Sequence, residues 1–318
     1  MKLKQEMRLR VLKSTKLAYG YTLLAVACWS TVGAAFKLTL SHITPYQLVC
    51  YSTWFSTIIL LVISWITGKI PVLWETLKDP KKRFLVLVLG FLNPFLYYTV
   101  LFQAYHVLLA QEAMVLNYTW GIGIILLSGW LLRQKIHLYQ IIAVMISFIG
   151  IVIIATKGSF FQYRPTNLYG ILLAIGTAWI WSFYWILNVR QHHNPVVMLT
   201  LQWCIGSVLC LMLPWQGIVN LPGLIGSLYT GLFEMSIPFI FWFMALQKAE
   251  NTASVTNLIF LSPFTSLLWI HFIVKEPIHP SSWIGLIWII AGIWINQPVT
   301  LRWQKYILHK MYILTLHF

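Results

Sequence analysis

This sequence predicts an all-α membrane protein: ten transmembrane helices, arranged as two inverted five-helix repeats around a central cavity. Three observations carry that expectation. Of 318 residues, 59% are apolar and only 9% are Asp, Glu, Lys or Arg, against about 25% charged in a soluble domain. The apolar residues gather in ten stretches of about 20, the length that spans a hydrocarbon core. The second five stretches echo the first five in order. Seventeen Trp and thirteen Pro speak against a coiled coil, and the scarcity of charge against disorder.

A basic segment, 1–16, precedes the first span at 17–36. About 20 apolar residues followed by further spans favour a retained helix over a cleaved signal. Spans at 46–66, 84–104, 109–131 and 138–156 complete a first repeat over 17–156. An external linker, 157–167, leads to the second repeat, 168–297, with spans at 168–188, 196–213, 223–246, 252–273 and 281–297. The basic, aromatic tail, 298–318, reads as an interfacial segment on the cytoplasmic leaflet. Short joints such as Thr67-Gly68-Lys69 and Asn194-Pro195 carry turn residues and make successive spans antiparallel neighbours.

Charge sets the orientation. The 22 Lys and Arg outnumber 7 Asp and Glu, for a net +15, which on a soluble chain would suggest nucleic acid. Counted on alternate sides of the spans, 18 basic residues fall on one side, and only Lys37, Lys157, Arg164 and Lys275 on the other. The positive-inside rule then puts both termini in the cytoplasm and removes the reason for a nucleic-acid partner. Cys28, Cys50, Cys204 and Cys210 lie inside spans without CxxC spacing and read as small core residues. No His has metal-ligand spacing, so neither metal nor cofactor is expected.

The repeat rests on ordered matches at nearly constant offsets. Tyr19-Gly20, Trp29 and Pro45 match Tyr169-Gly170, Trp179 and Pro195 at 150. Gly90, Phe102 and Ala104 match Gly231, Phe243 and Ala245 at 141, and Ala113, Val115 and Asn117 match Ala253, Val255 and Asn257 at 140. Arg133 through His137 matches Lys275 through His279 at 142. Five spans is an odd number, so the second copy enters the membrane from the opposite side. That is the plan of secondary transporters, whose substrate site lies near the midplane between the halves. The offset shift in spans four and nine falls at Gly121-Ile122-Gly123 and Ser262-Pro263. These residues suit either a helix break lining a cavity or close helix packing.

Polar groups at membrane depth mark the site. Glu234 sits mid-span with no basic residue in its own span; a charge there costs about 2.5–3.5 kcal/mol, so it should face a cavity or a partner. It reads as a proton-coupling carboxyl or as a structural tie between helices. Asn93 occupies the corresponding place in the first half, and Asn117 and Asn257 form a second symmetric pair that suits helix bridging or substrate contact. Trp29, Trp54, Trp120, Trp179 and Trp181 fall near mid-span rather than at the interfaces. An indole there needs a partner for its N–H or a polar cavity. About half of them are expected to wall a pocket for a flat, apolar or cationic solute, with hydroxyls from Tyr97, Tyr118 and Tyr184, and the others to face lipid or core.

Several segments then resemble a known family. Cys28-Trp29-Ser30-Thr31, Leu116-Asn117-Tyr118-Thr119-Trp120, Phe233-Glu234-Met235, Leu261-Ser262-Pro263-Phe264 and Lys275-Glu276-Pro277 look like EamA-type members of the drug/metabolite transporter superfamily. The resemblance implies solute export across a bacterial inner membrane, through a cavity walled by spans one, three, four, six, eight and nine. Two positions depart from the pattern: Gly121 stands where Pro is common, and Gln134 where Glu is frequent.

No HExxH, GxSxG or P-loop is present, and only Glu112 and Glu234 are carboxylates within spans. An enzyme is therefore not expected, and neither is an ATP-binding subunit. The expected function is secondary export of a small organic metabolite, an amino acid or amphipathic solute, by alternating access with proton coupling through Glu234. The alternatives are an uncoupled facilitator or exchanger and, from another class, a non-transporting membrane scaffold or sensor.

Overall fold

The computed structural model describes residues 2–131, 138–155, 158, 167–189, 194–248, 258 and 261–295. Among them there is helix, turn and coil but no strand. The elements are α1 (Lys2–Leu40), α2 (Pro45–Ile66), α3 (Ile70–Lys78), α4 (Pro80–Gly90), a π-helical segment (Phe91–Leu96), α5 (Tyr97–Val107), α6 (Ala110–Asn117) and α7 (Trp120–Leu131). They continue as α8 (Leu138–Ala155), α9 (Leu168–Val189), α10 (Pro195–Cys210), α11 (Leu221–Phe233), α12 (Ile237–Lys248), α13 (Leu261–Trp269), a second π segment (Ile270–Val274) and α14 (Pro280–Ile295).

Among the described residues, five stretches are long and apolar enough to cross a bilayer: Lys16–Leu40, Pro45–Ile66, Pro80–Val107, Leu168–Asn188 and Leu221–Ala245. Pro195–Cys210, Leu261–Val274 and Pro280–Gly292 are shorter apolar helices. Large apolar side chains such as Trp65, Ile66, Trp130 and Phe272 stand exposed around the bundle. Water would penalise that surface and lipid tails would not. The protein is an all-helical integral membrane protein.

Helix starts are written locally. Thr44 and Gln47 form a capping box before α2, Gln47 N–H donating to Thr44 Oγ1 (3.2 Å) and Thr44 N–H to Gln47 Oε1 (3.0 Å). Asn194 caps α10, accepting from the amides of Val196 and Val197. Pro45 and Pro195 each take the first helical position, where a missing N–H costs nothing. Three of the predicted spans are interrupted. In the third, Asn93 adopts φ −150° and ψ 122° before Pro94, so the α4 and α5 ladders do not run continuously. In the eighth, α11 stops at Phe233 and α12 begins at Ile237. The fourth predicted span is likewise two helices, separated by Tyr118 and Thr119.

Gly121-Ile122-Gly123, considered above for a break, lies inside the continuous α7. A Cβ on Gly123 would collide with the Ser182 side chain, so this glycine permits α7 to approach α9. Ser262 and Pro263 open the described part of α13; residues 251–257 and 259–260 just before it lie outside the described residues. Small residues set other crossings. A Cβ on Gly90 would lie 2.7 Å from the Gln202 carbonyl oxygen of α10, and one on Gly231 2.8 Å from the Ser52 carbonyl oxygen of α2. Hydroxyl pairs tie α2 to α10, Ser64 to Thr200 at 2.8 Å and Thr57 to Ser207 at 2.7 Å. In membranes, such bonds contribute about 0.6 kcal/mol each.

Candidate functional site

The interruption of the eighth span puts a carboxylate in the middle of the bundle. Glu234 ends α11, its N–H bonded to Thr230 O at 3.0 Å, and its side chain is only 7% exposed. The Tyr98 hydroxyl donates to Glu234 Oε1 at 3.0 Å, while Oε2 has no hydrogen-bond partner among the described residues. The turn beside it is secured by Ser236, which donates to Gly231 O and pairs with Ser56 at 3.1 Å. A buried carboxylate oxygen without a donor is costly. It can be offset by a proton, a water or a solute group.

Glu234 borders a cavity of about 300 Å³. Its wall is mostly aromatic: Trp29, Phe36, Tyr97, Tyr105, Tyr118, Trp120, Trp181, Trp185 and Trp242, with Val32, Gly33, Leu101, Met114, Asn117 and Ser266 between them. No Lys or Arg is among these residues. The rings hold one another edge-on or tilted, Trp181 against Tyr97 at 4.8 Å, Trp29 against Trp242 at 6.4 Å and Trp181 against Trp185 at 6.0 Å. Asn117 is fixed on both sides: its Nδ2 donates to Thr177 Oγ1 at 2.8 Å, and its Oδ1 accepts from the Tyr97 hydroxyl at 3.3 Å. Three helix ends meet the cavity, at Asn117, Trp120 and Glu234. An aromatic wall with one carboxylate suits a flat or amphipathic solute with a neutral or positive pole.

Trp29, Tyr97, Asn117, Trp120, Trp181 and Glu234, singled out from the sequence, all reach this cavity. Trp179 does not; it is 44% exposed on the outer face of α9. Two residues turn a helix by about 200°, so Trp179 and Trp181 point opposite ways. Tyr184 and Asn93 are also outside the lining. Tyr184 donates to Gln202 Oε1 at 2.7 Å, in a buried polar cluster with Asn188. Asn93 is fully buried, both amide atoms lacking a partner among the described residues. Asn257 lies outside the described residues.

Sequence reading passed over Phe36, Tyr105, Trp185 and Trp242, which also line the cavity, and Tyr98, which holds Glu234. Helical spacing carried part of that signal: Tyr97, Leu101 and Tyr105 recur every four residues, as do Trp181 and Trp185.

Glu276 was passed over as well. It sits in the turn before α14, 7% exposed, and its Oε1 accepts from the Ala110 amide at 3.1 Å, at the first residue of α6. Beside it, Gln111 Nε2 donates to Pro277 O at 2.8 Å, and Ser282 Oγ donates to Gln111 Oε1 at 3.0 Å. At the other side of the short α5–α6 joint, Lys37 Nζ donates to the carbonyl oxygens of Tyr105 (3.1 Å) and Leu108 (2.6 Å). Each charge matches the sign that its helix end attracts.

No group of three His, Cys, Asp or Glu able to hold a metal ion occurs among the described residues. A lipid-facing helical bundle around an aromatic, carboxylate-bearing chamber defines a membrane protein built to take up a small solute. Comparison with known proteins makes the assignment firm. The model of the EamA-like transporter family matches residues 16–156 and again 168–296. The chain belongs to that family, and it is a membrane transporter rather than an enzyme.

Among its relatives is an uncharacterized transporter of Archaeoglobus fulgidus, 25% identical over 86% of this chain and 95% of its own. An uncharacterized transporter of Synechocystis is 24% identical over 92% of this chain and 93% of its own. Protein PecM of Dickeya dadantii is 25% identical over 67% and 73%. A solved crystal structure superposes with a TM-score of 0.64 at 20% identity, covering 90% of this chain and 98% of that one. That likeness shows the fold alone.

Proposed function

We propose that this protein is a ten-helix secondary carrier of a bacterial inner membrane, with both termini in the cytoplasm, exporting a small organic metabolite by alternating access. The observation that carries this reading is the cavity itself, with Glu234 on its wall at an interruption of the eighth span. A volume of about 300 Å³ lies at the small end of the roughly 300–1,000 Å³ of ligand sites. That suits an amino acid or a compact amphipathic solute. Glu234 carries the coupling proton, and Trp29, Tyr97, Asn117, Trp120 and Trp181 hold the solute. Asn93 and Tyr184, outside the cavity lining, contribute buried polar groups beyond it.

The inverted repeat has its own support. Gly90 corresponds to Gly231 at an offset of 141, and Ser52 to Gln202 at 150. The two glycines approach these carbonyls crosswise, at 2.7 and 2.8 Å from an added Cβ. The same crossing between the halves thus occurs twice, with the roles of the two halves exchanged. Asn93 and Glu234, also 141 apart, both occupy interruptions. A two-fold axis in the membrane plane relates such pairs.

The test is reconstitution into proteoliposomes with a panel of amino acids, amines and amphipathic solutes under imposed gradients. Saturable flux of one class is expected, and a proton gradient alone should concentrate it. Flux without concentration would replace the coupled carrier by an uncoupled exchanger. No flux of any organic solute would refute the carrier.

A further inference from the structure

We infer that α3 and the first turns of α4 form a binding surface for an anionic phospholipid. Only the crossing of the membrane by α1 and α2 is needed, which returns the chain at α3 to the side of its N-terminus. The identity of the transported solute plays no part.

α3 is nine residues long and reaches about 14 Å, under half the hydrocarbon thickness, so it does not span. One face is docked: Leu73 and Thr76 are buried, and Leu73 packs with Val86 and Leu89 of α4 and with Val197 and Met198 of α10. The opposite face carries Trp74, 66% exposed, with the exposed Lys78 one turn further on. An indole beside an ammonium settles at the level of lipid headgroups.

The next segment offers both parts of a lipid a place. Phe84, 70% exposed, is followed at helical spacing by the exposed Leu87 and Phe91. This apolar stripe descends about 10 Å, against the roughly 15 Å of hydrocarbon in one leaflet. At its upper end Lys81 and Arg83 stand exposed on either side, each about 80° around the helix from the stripe. Lys82 falls on the far side and lies 3.8 Å from Asp79, whose carboxylate also accepts from the amides of Lys81 and Lys82.

Lys81 and Arg83 sit in the first turn of α4, the end at which a helix repels positive charge. The helix itself therefore gives no reason for them. A bound anion does. Residues 69–83 hold five basic side chains against Glu75 and Asp79, a net +3. A zwitterionic headgroup brings no net charge to that surplus, whereas phosphatidylglycerol brings a full negative one. Arg83 can hold two of its phosphate oxygens while Lys81 adds a point charge, and the acyl chain lies along Phe84, Leu87 and Phe91.

The test is native mass spectrometry of the full-length protein in detergent, titrated with phosphatidylglycerol or with phosphatidylcholine of the same acyl chains. The unmodified protein should hold phosphatidylglycerol about tenfold more tightly. Lys81→Gln combined with Arg83→Gln should remove that preference and leave phosphatidylcholine binding unchanged. Phe84→Ala with Leu87→Ala should weaken both lipids, and Lys82→Gln should change neither. The melting point of each variant in phosphatidylcholine checks that it is folded. Equal binding of the two lipids by the unmodified protein would overturn the site. A loss in Lys82→Gln as large as in the double variant would also overturn it, because diffuse charge would then explain the preference. Release of phosphatidylglycerol by millimolar inorganic phosphate would make this a site for a free anion and not for a lipid.

Discussion

Replacing Gly231 with Ala tests the packing that holds the eighth span in place. A Cβ there would sit 2.8 Å from Ser52 O, 3.1 Å from Phe55 Cβ and 3.2 Å from Ser56 N. Ordinary contact begins near 3.4 Å, so the shortfall against the carbonyl is about 0.6 Å. That neighbour is backbone and cannot rotate aside, so α11 and α2 must separate. Overpacking of this kind costs about 1–3 kcal/mol, while Ala in place of Gly returns up to about 1 kcal/mol of helix propensity. The net expectation is a loss of about 1–2 kcal/mol, read as a melting point lowered by a few degrees in detergent. Gly90→Ala should lose a similar amount, because its Cβ would meet Gln202 O and Ile205 Cβ, both at 2.7 Å. Gly176 has nothing within 4 Å of an added Cβ, so Gly176→Ala should be neutral or stabilising. If Gly231→Ala and Gly90→Ala melt at or above the unmodified protein, the close-approach reasoning is refuted. A loss at Gly176 as large as at the other two would refute it equally.

Other expectations follow from the cavity. Tyr98→Phe removes the donor to Glu234 Oε1 and leaves a buried carboxylate with neither oxygen bonded, costing about 1–3 kcal/mol; an unchanged melting point would show that Glu234 finds another partner. Glu234→Gln should abolish accumulation driven by a proton gradient while sparing solute counterflow. Persistence of the pH dependence in that variant would make Glu234 a structural tie instead. Trp181→Ala should raise the KM about tenfold by removing the ring tilted against Tyr97 on the cavity wall. Trp179→Ala should leave it within about twofold, and equal effects at the two positions would contradict the cavity assignment.

Much of this protein was legible without coordinates, because the bilayer imposes one-dimensional rules. Scarce charge and apolar run length specify a membrane protein, and backbone hydrogen bonding in lipid specifies helices. Helix starts followed from local chemistry, as at Thr44-Pro45 and Asn194-Pro195, where capping involves only neighbours in the chain. Glu234 was conspicuous because a carboxyl in hydrocarbon is expensive wherever the rest of the chain goes. What needed the tertiary structure was direction and partnership. Trp179 and Trp181 are the same residue type two positions apart, and only the rotational setting of α9 makes one face outward and the other face the cavity. Gly123 suited a break and close packing equally well, and only Ser182 on α9 makes it a packing glycine, while the fourth span divides at Tyr118 and Thr119. Glu276 stood in a recognisable segment, Lys275-Glu276-Pro277, but its role exists only where the turn before α14 meets the first residue of α6. Composition and period act along the chain, whereas a cavity wall and a capping charge depend on residues brought together from far apart in it.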